Sequence, residues 1–338
     1  MKIILSRLAV ALTLAIGAVS LAETPVMAEE PALKLGYAKC AHCTPLSLVP
    51  DYVKGARVEA IGFNTGNDVL TALLSKSIDV AQVTYLHYAA ALDKGFDLIA
   101  ISGQVSGGSQ IVIQNDLPVT PGDWGALKAL IAKYKAEGKP FRVAASRGNA
   151  QDIHMRGAFA KQGINVNSDV QFINIPNPSD HIQALRRGEV ELITTVEPFA
   201  TQIVQAGAAK PFAYPYDQAA GNLTNLMLTR PDVIAKDPKG LTATVKAIVD
   251  IDQKIAADKT LWVNVITKVT GLDKKVAEGA INNLTPDYEM HRKEAVAIAT
   301  MMKDLKYINS DVSAQVEKNM DYRFLEAATG KTKTELGY

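Results

Sequence analysis

The chain has 338 residues, 48% hydrophobic and 21% charged, with 36 Lys+Arg against 35 Asp+Glu for a formal net charge of +1. That profile suits a compact globular protein of about two domains and excludes a disordered chain. Charge this balanced leaves no electrostatic footprint for nucleic acid or an anionic membrane surface.

Lys2 and Arg7 stand before an apolar run from Leu8 to Val19, and small residues follow, as Ser20-Leu21-Ala22 before Glu23 or Val26-Met27-Ala28 before Glu29. A positive start, a short apolar stretch and an A-x-A-like site are the marks of a cleavable secretory signal, here residues 1–28. The run is shorter than the ~20 residues a spanning helix needs, so no membrane insertion is expected after cleavage. Neither cysteine, Cys40 nor Cys43, lies in a lipid-attachment position, so the mature chain is expected to be soluble and exported.

From Leu33 the pattern is strand, loop, helix, repeated. Strands are expected at 33–37, 57–63, 78–83, 97–102 and 110–114, where apolar and polar residues alternate or β-branched residues cluster. Helices are expected at 45–53, after the turn Asn64 to Asp68, and at 86–94, with a glycine-rich loop over Gly103 to Gly108. A second block follows: helices at 124–136, 150–162, 180–187 and 198–205, and strands at 141–146, 170–175, 191–196 and 211–216. Such alternation argues for parallel sheets covered by helices, an α/β fold. From Pro231 the sequence reads as almost wholly helical, with helices at 245–257, 261–269, 274–283, 292–305 and 314–328. Breaks at 115–122 and 217–224 suggest a chain that enters a second lobe and returns: 29–117, 118–220 and 221–338.

Several strings together resemble the nitrate, sulfonate and taurine group of periplasmic solute-binding proteins, which shares its fold with the thiamine-pyrimidine precursor group. They are Gly62-Phe63-Asn64-Thr65-Gly66-Asn67-Asp68 with Ile78-Asp79-Val80-Ala81, Ser106-Gly107-Gly108-Ser109 before a strand, Asn177-Pro178-Ser179-Asp180 with Ala184-Leu185-Arg186-Arg187-Gly188, and Glu197-Pro198-Phe199. Two departures stand out: Ser75-Lys76-Ser77 replaces the family's glycine before the acidic strand, and Val196 stands where an aromatic is usual. The resemblance implies a type II periplasmic binding protein, two α/β lobes with a hinge and a helical C-terminal region, that closes on its ligand. It implies a periplasmic receptor, a monomer and not an enzyme, which hands a small organic or inorganic anion to the membrane permease of an ATP-driven importer, with no cofactor.

In open α/β sheets ligands lie beyond the carboxyl ends of strands, where loops point N–H groups into the cleft. The candidate ligand residues are accordingly Cys40, His42, Cys43 and Thr44; Asn64, Thr65, Gly66 and Asn67; Thr84 and Tyr85; Ser106, Gly107 and Gly108; Ser146, Gly148, Asn149, Gln151 and Asp152; and Ser179 and Glu197. Asn67, Asp68, Asn149 and Asp152 also have the chemistry of helix caps, and His87 that of a helix surface. Arg147 and Arg156 lie near one of these loops.

Cys40-Ala41-His42-Cys43 admits three readings: a disulfide bracing the first loop, a soft-metal site of two sulfurs and one imidazole, or an exported thiol-disulfide oxidoreductase. Three ligands are too few for a closed structural zinc site, and the chain has no third cysteine, although His87, His154, Met155, His181 and His291 lie elsewhere. No G-x-S-x-G, Walker or H-E-x-x-H motif speaks for other catalysis.

Overall fold

The structure, a computed structural model, describes residues 32–215 and 224–338. The signal segment expected at 1–28 and most of the 217–224 break lie outside them. Among the described residues there are twelve strands: β1 (Leu33–Ala38), β2 (Val58–Phe63), β3 (Val80–Thr84), β4 (Ile99–Ser102), β5 (Gln104–Gly107), β6 (Ser109–Ile113), β7 (Arg142–Ala145), β8 (Gln171–Asn174), β9 (Leu192–Val196), β10 (Lys210–Ala213), β11 (Asn225–Thr229) and β12 (Leu284–Asp287). They form two five-stranded sheets, ordered β2-β1-β3-β11-β4 and β10-β6-β9-β7-β8, and a β12-β5 ribbon. The α/β class expected from the sequence is the observed one.

Both sheets are mixed rather than parallel. In the first, β1 runs parallel to β2 and β3, while β11 is antiparallel to β3 and β4. In the second, β7 runs parallel to β8 and β9, while β6 is antiparallel to β9 and β10. The antiparallel strands are those on which the chain changes sheet without a covering helix, so the crossover rule for parallel pairs does not bind them.

The glycine-rich stretch 103–108 is not all loop, since Gln104–Gly107 pairs with Leu284–Asp287. The passage between sheets is Gly107-Gly108, both at positive φ (90° and 94°), where a Cβ on Gly107 would strike the Asn283 carbonyl. Strand β6 therefore already belongs to the second sheet, upstream of the 115–122 break. The C-terminal stretch is not wholly helical either, because it contains β12. The single helix expected at 314–328 is two, Ser313–Lys318 and Arg323–Thr329. The backbone between them bonds the edge of β4, Ala100 N to Asn319 O and Asp321 N to Ala100 O.

Burial explains the second half. Along β6, Ile111 and Ile113 face one layer and Val112 the other; Val143 and Ala145 oppose Ala144 on β7, and Leu192 opposes Ile193 on β9. Each face thus finds its own core, one under helices Trp124–Ala136 and Ala150–Lys161, the other under His181–Arg186 and Phe199–Gln205, so these strands read as continuous apolar runs. The first sheet instead belongs to one extended core that includes Leu35, Val80, Leu228, Ile248, Trp262 and Ile298. Among the described residues no helix is long and apolar enough to cross a membrane.

Candidate functional site

The carboxyl ends of β1, β2 and β3 from the first sheet and of β7 and β9 from the second converge on one cavity of about 50 Å3. Its first wall is Lys39, Cys40, His42 and Cys43 after β1, Asn64 to Gly66 after β2, and Gln82 to Thr84 on β3. Its second is Ser146 and Asn149 to Gln151 after β7, with Pro178, Val196 and Phe199; Asn225 enters from β11. A larger groove of about 670 Å3 between the helix Pro231–Lys236, the stretch 318–326 and Tyr338 lies at no convergence of strand ends. In open α/β sheets, ligands lie where strand ends converge in this way.

The first wall is rigidly held. Cys40 and Cys43 lie at disulfide distance, their Cα atoms 5.0 Å apart. The Ala41 carbonyl accepts from Trp262 Nε1 at 2.9 Å and Thr44 Oγ1 at 3.0 Å. The His42 carbonyl accepts from Asn225 Nδ2 at 2.9 Å and Gln82 Nε2 at 3.2 Å. The His42 ring is buried, its Nε2 3.1 Å from Cys40 Sγ and its Nδ1 without a hydrogen-bond partner. Burial lowers its pKa to about 3, so the ring is neutral. The Gly108 backbone packs flat against the ring, with no room for a Cβ.

The adjoining loop is a capping box. Thr65 Oγ1 accepts from Asp68 N and Asp68 Oδ2 from Thr65 N, opening the helix Gly66–Leu74. Asp68 is spent on that cap. Thr84 forms a second box with His87, whose pKa burial lowers to about 4. Gly66 packs against His87 and Asn149, so a side chain there would push into the opposite wall.

Besides Gln205 Nε2 to Lys275 O and Asn283 Nδ2 to Ser109 O, both at 3.3 Å, three hydrogen bonds fasten one half to the other at the cleft. Ala41 N donates to Glu197 O at 2.8 Å, Asn67 Nδ2 to Arg147 O at 3.1 Å, and Tyr307 Oη to Asp152 Oδ2 at 3.0 Å. Asp152 also accepts from Gly148 N at 3.0 Å and Arg156 Nε at 2.8 Å. Glu197 is buried, and desolvation raises its pKa to about 7 despite a bond from Thr201 N to Oε2.

Ten of the twenty candidates line the cavity: Cys40, His42, Cys43, Asn64, Thr65, Gly66, Thr84, Ser146, Asn149 and Gln151. The other ten stand outside it. Thr44, Asn67, Gly148, Asp152 and Glu197 fix the loops or bridge the halves. Tyr85 is buried behind the wall with its hydroxyl on Met290 O at 2.8 Å, and Ser106 bonds Asp287. Gly107 and Gly108 make the passage between sheets, and Ser179 is exposed beside Pro178. Reasoning from sequence missed Lys39, Gln82 and Asn225. A glutamine inside the apolar run Val80–Val83 was the available signal for Gln82.

Two α/β halves whose strand ends face one another across a bridged cleft define the periplasmic binding protein fold. The chain belongs to the NMT1-like family, whose model matches residues 27–269. No curated protein sequence matches it. The periplasmic nitrate-binding protein NrtA from Synechocystis PCC 6803 is similar at 17% identity and TM-score 0.79, over 90% of each chain. The alkanesulfonate-binding protein SsuA from Xanthomonas axonopodis pv. citri, bound to MOPS, is 17% identical with TM-score 0.70, over 86% of this chain and 99% of that one. The zinc-bound ligand-binding component of an ABC-type import system from Staphylococcus aureus is 15% identical with TM-score 0.74, over 89% and 100%. At these identities the likeness is one of fold.

Proposed function

We propose that this chain is the substrate-binding receptor of an ATP-driven importer, exported to the periplasm, that captures a small anion between its halves and performs no chemistry on it. The halves are residues 32–107 with 224–338, and residues 109–215. The observation that carries this reading is the cavity itself: strand ends of both sheets meet there, and the halves are bridged around it by Ala41–Glu197, Asn67–Arg147 and Tyr307–Asp152.

Charge narrows the ligand. Among the described lining residues Lys39 is the one ionised side chain, since His42 is neutral and no carboxylate faces in. Neutral amides supply the rest: Gln82 and the Thr65 and Ser146 hydroxyls already donate within the protein, which leaves Gln151 and the second N–H of Asn149 and of Asn225 to donate to a ligand. Such a lining suits an anion better than a cation, and about 50 Å3 in the bridged form favours one of few heavy atoms. Nitrate- and sulfonate-binding neighbours of the same fold support the class. Binding then favours the bridged form, and the bridged form is the one a permease distinguishes.

The test is a thermal-shift screen of the purified chain against nitrate, short alkanesulfonates and small carboxylates, repeated on Lys39→Glu. A ligand at about 100 times its Kd adds roughly 2.7 kcal/mol to stability. One anion class is expected to raise the melting temperature of the wild type, with a smaller shift in the exposed-site variant. No shift with any anion, or equal shifts in both proteins, overturns the anion reading.

A further inference from the structure

Nothing in a small-anion receptor requires two cysteines and a buried histidine at the wall of its cleft. We propose that Cys40, His42 and Cys43, once the cysteines are reduced, form a three-coordinate site for copper(I), and that the disulfide is the metal-free state of the same site. This does not rest on the importer reading, because metal binding by the chain is measured without any transporter.

The geometry fits one ion. The ligand atoms Sγ of Cys40, Sγ of Cys43 and the imidazole nitrogen of His42 all lie within 4.8 Å of one another. Metal–sulfur bonds of about 2.3 Å and metal–imidazole bonds of about 2.0 Å put two sulfurs on one ion at most about 4.6 Å apart and a sulfur and a nitrogen at most about 4.3 Å, so loading needs the disulfide opened and side-chain rotation within this one loop. The cysteine Cα separation of 5.0 Å accommodates the disulfide as well.

Two further observations point to a ligand rather than a brace. His42 is 3% exposed, its Nε2 lies 3.1 Å from the Cys40 sulfur, and its Nδ1 meets no acceptor or donor. A buried imidazole ordinarily satisfies both nitrogens. Nε2, the nitrogen that faces the sulfurs, is the one placed to bind an ion, while Nδ1 abuts the Gly108 backbone. The loop is also held by its backbone while its side chains stay available: four donors pin the carbonyls of Ala41 and His42, and none touches a ligand atom. Such second-layer support is what fixes metal ligands in place.

The donor set selects the ion. Two thiolates and one imidazole fall short of the four ligands of a closed zinc site, and soft sulfur at low coordination number is the preference of copper(I). Two thiolates and one copper(I) leave a single negative charge, beside which Lys39 stands at the rim. The chemistry balances. A dithiol attacks the Cys40–Cys43 bond through a mixed disulfide and leaves as its own disulfide, giving two thiols. Binding copper(I) then forms two Cu–S bonds and one Cu–N bond and releases two protons. The disulfide form has no thiolate to offer.

The test titrates copper(I) anaerobically into the purified chain, with bicinchoninate as the competing chromophoric chelator, before and after reduction by a phosphine. The reduced chain is expected to take one equivalent, and the oxidised chain none above the level of the double variant C40S/C43S. His42→Ala removes a ligand, so it is expected to keep the thiolate-to-copper absorption but to lose at least roughly tenfold in affinity, the low end of what even an outer contact costs a metal site. Copper-edge X-ray absorption on the loaded wild type reads the ligand set without any variant, so a misfolded double variant does not leave the matter open. Two sulfur scatterers and one nitrogen scatterer support the site. Equal copper affinity in reduced wild type and C40S/C43S, scattering from oxygen and nitrogen alone, or preferential retention of zinc(II) over copper(I) overturns it.

Discussion

The two walls of the cleft are built to different standards. The first is a short loop, Cys40 to Thr44, with its sulfurs at disulfide distance and its carbonyls fixed by Trp262, Thr44, Gln82 and Asn225. The second is the ends of β7 and β9, which present neutral amides and hydroxyls and meet the first wall through few hydrogen bonds, Ala41–Glu197 among them. Local stability follows packing and satisfied hydrogen bonds. The first wall is thereby a fixed template held through its carbonyls from the far core, whereas the second is held by local bonds such as Ser146 Oγ to Pro176 O and Asn149 Nδ2 to Ser146 Oγ. Side chains of special reactivity sit on the first wall, and ordinary hydrogen-bonding groups on the second.

Removing the strut behind the template breaks this contrast most severely. Trp262 is fully buried, and its Nε1 holds the Ala41 carbonyl. Trp262→Ala is expected to cost about 3–5 kcal/mol in chemical denaturation through lost burial and the cavity left behind. Hydrogen exchange of the amides from Cys40 to Thr44 should rise well beyond that of 146–151. Equal acceleration in both walls would contradict the fixed-template view.

The second wall carries its own weakness, the buried carboxyl of Glu197. Its pKa rises from 4.5 to about 7 in the fold, so the native state holds a proton that the unfolded chain releases first. Its contribution is intact below pH 4.5 and is lost as pH rises toward 7, at most about 1.4 kcal/mol per unit. His87 and His181, whose pKa values burial lowers to about 4, act in the opposite direction between 4 and 6.5 and mask the trend in the wild type. Comparison with Glu197→Gln isolates it. The variant is expected to gain on the wild type as pH rises and to lead by about 3 kcal/mol at pH 8. A difference independent of pH would contradict the burial of this group.

The smallest effect lies behind the first wall, at the end of the helix Gly66–Leu74. Lys76 adopts φ 63°, a left-handed conformation that favours glycine, at the turn where the family has one. Lys76→Gly is expected to stabilise by about 0.5–1 kcal/mol despite losing an exposed ion pair to Asp232, worth little. Destabilisation would mean that the ion pair outweighs the strain.

What could be read from the sequence was local. The capping box Thr65–Asp68, the helix at 124–136 and the cluster Cys40-His42-Cys43 depend on residues a few positions apart, and all are present. Strand β12 was missed because Pro286 reads as a breaker, though a two-stranded ribbon tolerates proline. Strand β11 was left unassigned as a short run after a broken stretch, and Asn225 went with it. The bridging contacts had no local signature at all. Tyr307 and Asp152 are 155 positions apart, and only the fold brings them together.

The central claim is that ligand and bridging are coupled, and small-angle scattering tests it most directly. The radius of gyration of the purified chain is measured with and without the anion that raises its melting temperature, and again for Tyr307→Phe, which removes the hydroxyl bonded to Asp152. The wild type is expected to contract on binding, and the variant to contract less at the same occupancy. An anion that binds and stabilises the chain while leaving its radius of gyration unchanged would contradict the account.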